Sequence, residues 1–567
     1  MKILSLHCDY IKFKPLKKAL RQPEELSEER KKEIIVKEPL VIMIAVEKQD
    51  EKNPQLIEQI TKEVKDIAKQ VKSKNIVLYP YAHLSPSLSK PDFALKTLEE
   101  AEVSLKKDKF KIIRAPFGYY KEFELKVKGH PLSELSRDIH FSGEFSEKKA
   151  ERTYDYKQLL REISKSKLDS RELKPNDHRI LGQQMDLFSF SETAPGMVFW
   201  HNNGLLIKNK LSEFWRQEHE KAGYQEISTP QILDKKLWQI SGHWEKFKEN
   251  MFITEYEKKE FAIKPMNCPG GMLVYKNSPK SYKDLPLRVG ELGIVHRQEL
   301  SGTLGGLFRV IQITQDDAHI YCVEKQLEQE LINVINLVDK FYKIFKLGYR
   351  VELSTRPEKR IGNDKIWDKA ETVLEKVLKK KKIKFKINKG DGAFYGPKID
   401  FHVKDSLGRE WQTATLQLDF AMPERFDLEY TDEKNNRKRP IMLHRTLYGA
   451  LERFIGILLE HTNGHLPLWL SPRQVRIINF TNKNDKSCKS LETELSKKGI
   501  RSDLDLSSVP LQKKVKQAEM EKIPLIVVIG DKEEKENTLA VRRNGKITSI
   551  NKDEFIEMVE KEIEEKK

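Results

Sequence analysis

The sequence predicts a multidomain chain of mixed α/β and α+β architecture. Its 567 residues, at roughly 150 per domain, make three or four domains. Both ends alternate strand-like and helix-like runs, whereas the middle carries strand-like runs joined by a Ser/Gly-rich turn. Hydrophobic residues at 38% supply enough apolar material for real cores, which argues against wholesale disorder.

The first segment, 1–143, reads as a small α/β domain. MKILSLHCDYIKF and PLVIMIAVEKQ are apolar runs bounded by charge, as strands are. PQLIEQITKEVKDIAKQVKS places Leu56, Ile60, Val64, Ile67 and Val71 at helical spacing. KNIVLYPYAHLS reads as a buried strand entering a loop. PDFALKTLEEAEVSLKKD reads as a helix that Pro91 and Asp92 are placed to start. KIIRAPFGYYKEFELKVKGHP is expected to return as a hairpin-like segment. Residues 144–175 are charged and poor in apolar side chains, and read as a linker with a short helix. A large unit, 176–468, ends at LPLWLSPRQ, where two prolines bracket a short apolar stretch. Residues 469–567 alternate again as a separate α/β domain.

Four scattered cysteines make no disulfide framework. The opening residues hold no apolar run of signal-peptide length, and no stretch reaches the roughly 18 apolar residues of a membrane span. The expectation is a cytoplasmic protein with no membrane partner. Lys and Arg number 104 against 87 Asp and Glu, a net charge of +17. Such a field suits a polyanion, and a Lys/Glu-rich surface of the heat-adapted kind is the plain alternative.

The densest chemical signal is GELGIVHRQELSGTLGGLFRVIQITQDDAHIYC, expected to be an antiparallel hairpin with a long loop. Period-two alternation points Arg309, Ile311, Ile313, Gln315, Asp317 and His319 the same way, and four of these six are polar or charged. Burying Arg, Asp and His without partners is costly, so a ligand that pairs with them is the economical reading. Arg297 and Glu299 share a face on the preceding strand. Two arginines on neighbouring strands suit a nucleotide phosphate, whose oxygens match guanidinium forks. A surface ion-pair ladder is the alternative. In HRTLYGALERFIGILLEH, a helix after His444 turns Leu447, Leu451, Phe454, Ile455 and Leu458 to the core, and puts Gly449, Arg453 and Gly456 on another face. KPMNCPGGM presents Cys268 in a rigid turn. Cys268, His319 and His444 stand 51 and 125 positions apart, and spacing alone does not make them ligands.

These runs resemble a known family. RQELSGTLGGLFRV with TQDDAHIYC looks like motif 2 of class II aminoacyl-tRNA synthetases, and HRTLYGALERF like motif 3. APGMVFWHNNGLLIKNKLSEFWRQEHEKAGYQEISTP looks like the motif 1 region, ending at Pro230. Together with MNCPGG, AFYGPKIDF and WQTATLQLDF they resemble the threonyl-tRNA synthetases over nearly the whole chain. The resemblance implies a class II antiparallel-sheet catalytic core, a deacylase-like N-terminal editing domain and a C-terminal α/β anticodon-binding domain. It implies one Zn²⁺ on Cys268, His319 and His444, with Mg²⁺ accompanying ATP. Three protein ligands leave zinc an open position for substrate. It implies Arg297 on the α-phosphate of ATP, Arg309 on the γ-phosphate and Arg453 against the adenine, with Glu299 and Gln412 also on the ATP side. Lys398 would neutralise charge near the carboxylate and phosphate. Asp317 would meet the threonine amine or hydroxyl, and Met266, Gln315, Tyr395 and Gln417 would line its pocket. L-threonine, ATP and tRNA(Thr) are the implied partners, in a homodimer with motif 1 at the interface. Two positions depart from the pattern: Ile313 stands where the family often has an aromatic residue, and Ala450 where a serine is frequent.

The N-terminal segment lacks the paired His/Cys pattern of the bacterial editing domain. YPYAHLS and APFGYYKEFELKVKGHPLSELSR are instead similar to the archaeal-type editing domain, itself like D-aminoacyl-tRNA deacylases. By position His83, Tyr120, Lys121 and Glu134 match its site, which would hydrolyse seryl-tRNA(Thr). The chemistry gives a reason: a missing methyl is worth only about 10–200-fold in selection, so serine would slip past a zinc that rejects valine. In the C-terminal segment Arg542, Arg543 and Lys546 are expected to meet tRNA, with few aromatic side chains there for stacking. A solvated basic edge strand is the alternative for those three. A tRNA-binding paralogue without catalysis is the rival reading of the chain, and the intact Cys/His/His set with three arginines argues against it.

Overall fold

A computed structural model of the chain describes residues 1–20, 23–108, 110–130, 132–139, 156–163, 173–405 and 408–567. It divides into two units, Met1–Thr153 and Tyr154–Lys567.

The first unit is a seven-stranded sheet with helices on one face. The long strand β1 (Lys2–Lys18) is its spine, because it pairs with β2 (Ile34–Lys37), β3 (Pro39–Ala45), β6 (Tyr119–Val127) and β7 (Glu134–Asp138). Beyond β3 lie β4 (Asn75–Pro80) and β5 (Lys111–Arg114), both added in parallel. Helices α1 (Leu56–Gln70) and α2 (Pro91–Lys107) make those parallel crossovers. Ile60, Val64 and Ile67 of α1, with Leu98 and Leu105 of α2, are buried against Ile42, Ile76 and Leu78 of the sheet. The segment expected to be a hairpin is not one. β5 joins β4 in parallel, whereas β6 crosses to pair with β1. Apolar Ile112 and Ile113 suit the flank of a buried parallel strand, and the turn at Gly118, with φ +80°, sends the chain away from β5.

In the second unit a helix, α3 (Tyr156–Ile163), falls within the stretch read as a linker with a short helix. Apart from this helix and 173–175, that stretch lies outside the described residues. The unit is built on an eight-stranded sheet. In chain order its strands are β8 (Gln225–Glu226), β9 (Leu287–His296), β10 (Gln312–Cys322), β11 (Tyr349–Ser354), β12 (Phe385–Asn388), β13 (Lys398–Lys404), β14 (Glu410–Asp419) and β15 (Ile441–Thr446). In space they run β8-β9-β10-β15-β14-β13-β11-β12, antiparallel except at the outer pairs. The expected hairpin is β9 with β10.

Alternation decides what each face does. Ile320, Leu416, Leu418 and Leu443 point into the main core, shared with α4 (His178–Gln184), α5 (Asn202–Lys221), α7 (Glu324–Ile344), α8 (Asp364–Lys380) and α10 (Leu451–His461). Their neighbours His319, Gln417 and His444 therefore face the other way, over which α6 (Cys268–Lys276) lies. A short helix, α9 (Ala421–Arg425), follows β14. Leu451, Phe454, Ile455 and Leu458 are buried as the pattern requires, and so is Leu447, although it precedes the helix. Gly449 also lies outside it. Its φ is +75° and a Cβ there would meet the Thr413 carbonyl oxygen at 2.6 Å, so it forms the tight turn before α10.

The last hundred residues form a five-stranded sheet. β16 (Val475–Asn479), β17 (Ser502–Asp505) and β18 (Leu525–Ile529) are parallel, and β19 (Thr538–Arg543) and β20 (Lys546–Asn551) continue antiparallel. Helices α11 (Asp485–Lys497), α12 (Leu511–Met520) and α13 (Lys552–Glu564) cover it. Among the described residues, no helix is long and apolar enough to cross a membrane.

Candidate active site

Strand register brings the distant ligand candidates together. His319 on β10 is directly opposite His444 on β15, and His444 is directly opposite Gln417 on β14. Cys268 completes the group from the first turn of α6, where Pro269 suits the helix start. One donor atom from each of Cys268, His319 and His444 lies within 4.8 Å of the others. Burial keeps the His319 imidazole neutral, well below its usual range, so a ring lone pair is available. Burial, reinforced by Asp317 and Asp419, pushes the Cys268 thiol well up, so its thiolate needs a nearby cation. A Cys/His/His donor set of this kind fits zinc and leaves a fourth position open.

These three line one wall of a cavity of about 320 Å³. Met266, Gln315, Asp317, Tyr395 and Gln417 line the same space. The Tyr395 hydroxyl donates to Gln417 Oε1 at 2.9 Å. Asn267 Nδ2 donates to Asp317 Oδ2 at 2.8 Å. That contact depends on Gly293, because a Cβ there would sit 2.2 Å from the Asn267 side chain.

Arg297, Gln412 and Arg453 line the cavity as well. Arg297 donates to the Pro265 carbonyl at 3.1 Å and to Gln315 Oε1 at 3.2 Å. Arg453 donates to the Phe308 carbonyl at 2.9 Å. Neither forms an ion pair among the described residues. Burial lowers the pKa of both, and for Arg453 the charges of Arg297 and Arg309 lower it further. Such a surplus of buried positive charge calls for an anionic ligand.

Three expected residues sit differently. Arg309 precedes β10, half-exposed, and its Nε donates to Glu299 Oε2 at 3.0 Å. That pair is the surface contact weighed as the alternative for the hairpin. Ile311 does not share the cavity face; it packs against Gly196 ahead of the strand. Lys398 is outside the lining. Burial disfavours its charge, but Asp400 at 2.9 Å and Asp391 at 3.2 Å outweigh that and raise its pKa.

Several contributing residues escaped sequence reasoning. Asp316, beside Asp317, points to the opposite face. Its carboxylate accepts from the backbone N–H groups of Leu447, Tyr448 and Gly449 at 2.9, 3.0 and 2.9 Å, and so holds the turn before α10. His178 Nε2 accepts from the Leu307 N–H at 2.9 Å while its Nδ1 bonds Glu460 at 2.7 Å, anchoring the loop before Arg309. Asp419 Oδ2 lies 2.7 Å from His444 Nε2. Period-two spacing from Gln417 was the available signal for Asp419; His178 had none.

The first unit holds a second cavity, of about 500 Å³, lined by Tyr79, Tyr81, His83, Tyr120, Lys121 and Phe123 among others. Lys121 Nζ donates to the carbonyls of Pro116 and Tyr119 at 3.0 and 3.3 Å, and lies 5.1 Å from the Tyr79 ring centre. Burial pushes its pKa down to about 8. Glu134 lies apart from this group. It is exposed on β7 opposite Leu6, whereas Lys121 is opposite Pro15 on the same strand.

In the C-terminal domain Arg543 is held by Glu562 at 2.7 and 2.9 Å, Arg542 pairs with Glu519 at 3.0 Å, and Lys546 is exposed. Arg542 also lines a depression with Phe480 and Ile547, whose side chains are exposed.

Family models match three segments. These are the Archaea-specific editing domain of threonyl-tRNA synthetase over residues 1–139, the class II tRNA synthetase core domain (G, H, P, S and T) over residues 251–462, and an anticodon binding domain over residues 474–562. The chain is 52% identical over 410 residues to a threonine–tRNA ligase of Natranaerobius thermophilus, covering 71% of this chain and 64% of that one. It is 48% identical over 448 residues to a threonine–tRNA ligase of Clostridium botulinum, covering 78% of this chain and 70% of that one. The chain thus spans 64% of the length of the first of these relatives, somewhat less than two thirds. Among solved structures, the RNA binding domain of threonyl-tRNA synthetase from Cryptosporidium parvum Iowa II superposes with a TM-score of 0.66 at 38% identity, covering 68% of this chain and 98% of that one. In sequence, in domain order and in the fold of its core, the chain belongs to the threonyl-tRNA synthetase family.

Proposed function

We propose that the chain is a threonine–tRNA ligase that activates L-threonine with ATP, transfers it to tRNA(Thr), and hydrolyses seryl-tRNA(Thr) in its N-terminal domain. One observation carries this reading: one cavity is lined both by a Cys/His/His set and by two partly buried arginines that form no ion pair among the described residues. The first group suits an amino acid with two donor groups and the second a polyphosphate. Cys268, His319 and His444 would hold zinc, which would supply Lewis acidity to an amino acid offering both an amine and a hydroxyl, as threonine does and valine does not.

The chain's own residues do the rest. Asp317 takes the amine or hydroxyl, and Met266, Gln315, Tyr395 and Gln417 close the pocket around the side chain. Arg297 holds the α-phosphate against the threonine carboxylate. That carboxylate attacks the α-phosphorus, pyrophosphate leaves, and threonyl-adenylate remains. Arg453 lies against the adenine, Glu299 and Gln412 serve the ATP side, and Arg309 meets the γ-phosphate. Lys398 would have to leave Asp391 and Asp400 to temper charge near the reacting groups, and Mg²⁺ accompanies ATP. A terminal ribose hydroxyl of the tRNA then attacks the carbonyl, and AMP leaves. Positioning and charge stabilisation carry both steps. In the first unit His83, Tyr120 and Lys121 surround the mischarged ester, whereas Glu134 lies apart from them on β7 and takes no part in this step. The domain limits we assign are 1–143, 144–175, 176–468 and 469–567, in a cytoplasmic homodimer.

Amino-acid-dependent ATP–pyrophosphate exchange, on protein of assayed zinc content, tests this reading. Strong exchange with threonine, weaker with serine and none with valine is expected. No exchange from folded, zinc-loaded protein would refute it in favour of a tRNA-binding paralogue.

A further inference from the structure

Asp419 is the last residue of β14, fully buried, and both its oxygens are committed. Oδ1 accepts from the backbone N–H groups of Ala421 at 2.8 Å and Met422 at 2.9 Å, at the start of α9. Oδ2 lies 2.7 Å from Nε2 of His444. A carboxylate only accepts, so the imidazole proton sits on Nε2 and the lone pair is left on Nδ1. The two main-chain bonds fix the carboxylate plane, and the carboxylate in turn fixes the ring. β14 carries Gln417 and Asp419 on one face, so the strand that lines the amino-acid pocket also orients a ligand candidate.

We infer that Asp419 is a positioning residue that presents Nδ1 of His444 to the metal, by holding the proton on Nε2 and the ring in plane. The inference rests on the Cys268–His319–His444 set binding zinc. Asparagine is the informative replacement, because it keeps the shape and loses the acceptor-only character. If its oxygen takes the Ala421 and Met422 N–H groups, its amide donates to Nε2 and drives the proton onto Nδ1. If it flips, its NH₂ opposes two N–H donors. In neither arrangement are the α9 turn and the Nδ1 lone pair both kept.

The test compares full-length wild type and Asp419→Asn by zinc titration against a chelator, with urea unfolding of the metal-free proteins alongside. Asp419→Asn is expected to weaken zinc binding about 10–100-fold, a typical loss for such an outer partner. That loss should exceed any change in the metal-free unfolding midpoint, which is what a purely structural residue would move. Equal zinc affinity in the two proteins overturns the inference and leaves the zinc reading standing. If wild type takes up no zinc, both fall. Should Asp419→Asn not fold, an anomalous-difference map at the zinc edge on wild-type crystals decides the matter. Metal on Nδ1 of His444, with Asp419 still on Nε2, supports the inference. Metal on Nε2 with Asp419 displaced overturns it.

Discussion

Two of the cavities in this chain solve recognition in opposite ways. The one on the central sheet is polar: the charged Arg297, Asp317 and Arg453 line it beside His319 and His444. The one in the N-terminal unit is walled by Tyr79, Tyr81, Phe117 and Phe123 and holds a single lysine. The first depends on a ligand whose charges complete it. The second partly buries one ammonium group, and that burial pushes the Lys121 pKa down to about 8. A charged cavity can reject a partner that lacks a polar group, whereas it separates two substrates differing by a methyl only weakly. An apolar cavity with one poised amine is suited to a second, chemical selection.

The comparison can be broken by mutation. The largest effect should come from Cys268→Ala. Loss of a ligand should empty the metal site and lower kcat/KM for threonine-dependent pyrophosphate exchange by about 10³-fold or more. Zinc analysis and exchange kinetics on the same preparation check it. Arg297→Gln should follow at about 10²–10³-fold, the range for removing one donor that meets developing charge. Near-normal exchange in that variant would show that the buried positive charge is structural. Neither change should alter deacylation by the N-terminal unit.

Lys121→Met sharpens the contrast by its effect on stability. The folded-state pKa of Lys121 is near 8, against an ordinary 10.5. Between those values the unfolded chain holds the proton and the folded chain does not, so stability rises with pH across that window. The burial cost is fully present below pH 8. Lys121→Met should therefore be the more stable protein at pH 7, by on the order of 1–3 kcal/mol, and its advantage should shrink as pH approaches 10. Urea unfolding at pH 7 and pH 10 reads the difference. The smallest effect is expected from Arg542→Ala, which should weaken tRNA binding a few-fold and lower its salt dependence by about one charge. Filter binding across a salt series measures both.

Much of the fold was legible because periodicity reports burial. α1, α2 and the β9–β10 hairpin follow from apolar spacing that tertiary structure only confirms. The misread segments were those where a turn, not a pattern, decides the path. Gly118 sends β6 to β1 instead of β5, and Gly449 stops α10 short. Within the site, polarity on the β10 strand exposed Gln315, Asp317 and His319, because a polar stripe is costly to bury. Cys268 and His444 were visible through resemblance alone, since only strand register and the α6 start carry them to His319. Asp316 and Asp317 show the limit most plainly. They are chemically identical neighbours, yet one holds backbone N–H groups and the other faces the cavity. Nothing in their order says how the next strand lies.

The division of labour between the two cavities is tested most directly by charging tRNA(Thr) from a mixture of threonine and serine, in wild type and in Lys121→Met. The account predicts that wild type accumulates threonyl-tRNA and no seryl-tRNA, while Lys121→Met, with unchanged threonine activation, accumulates seryl-tRNA as well. If Lys121→Met activates serine and still yields no seryl-tRNA, selection is completed without the N-terminal cavity and the account is wrong.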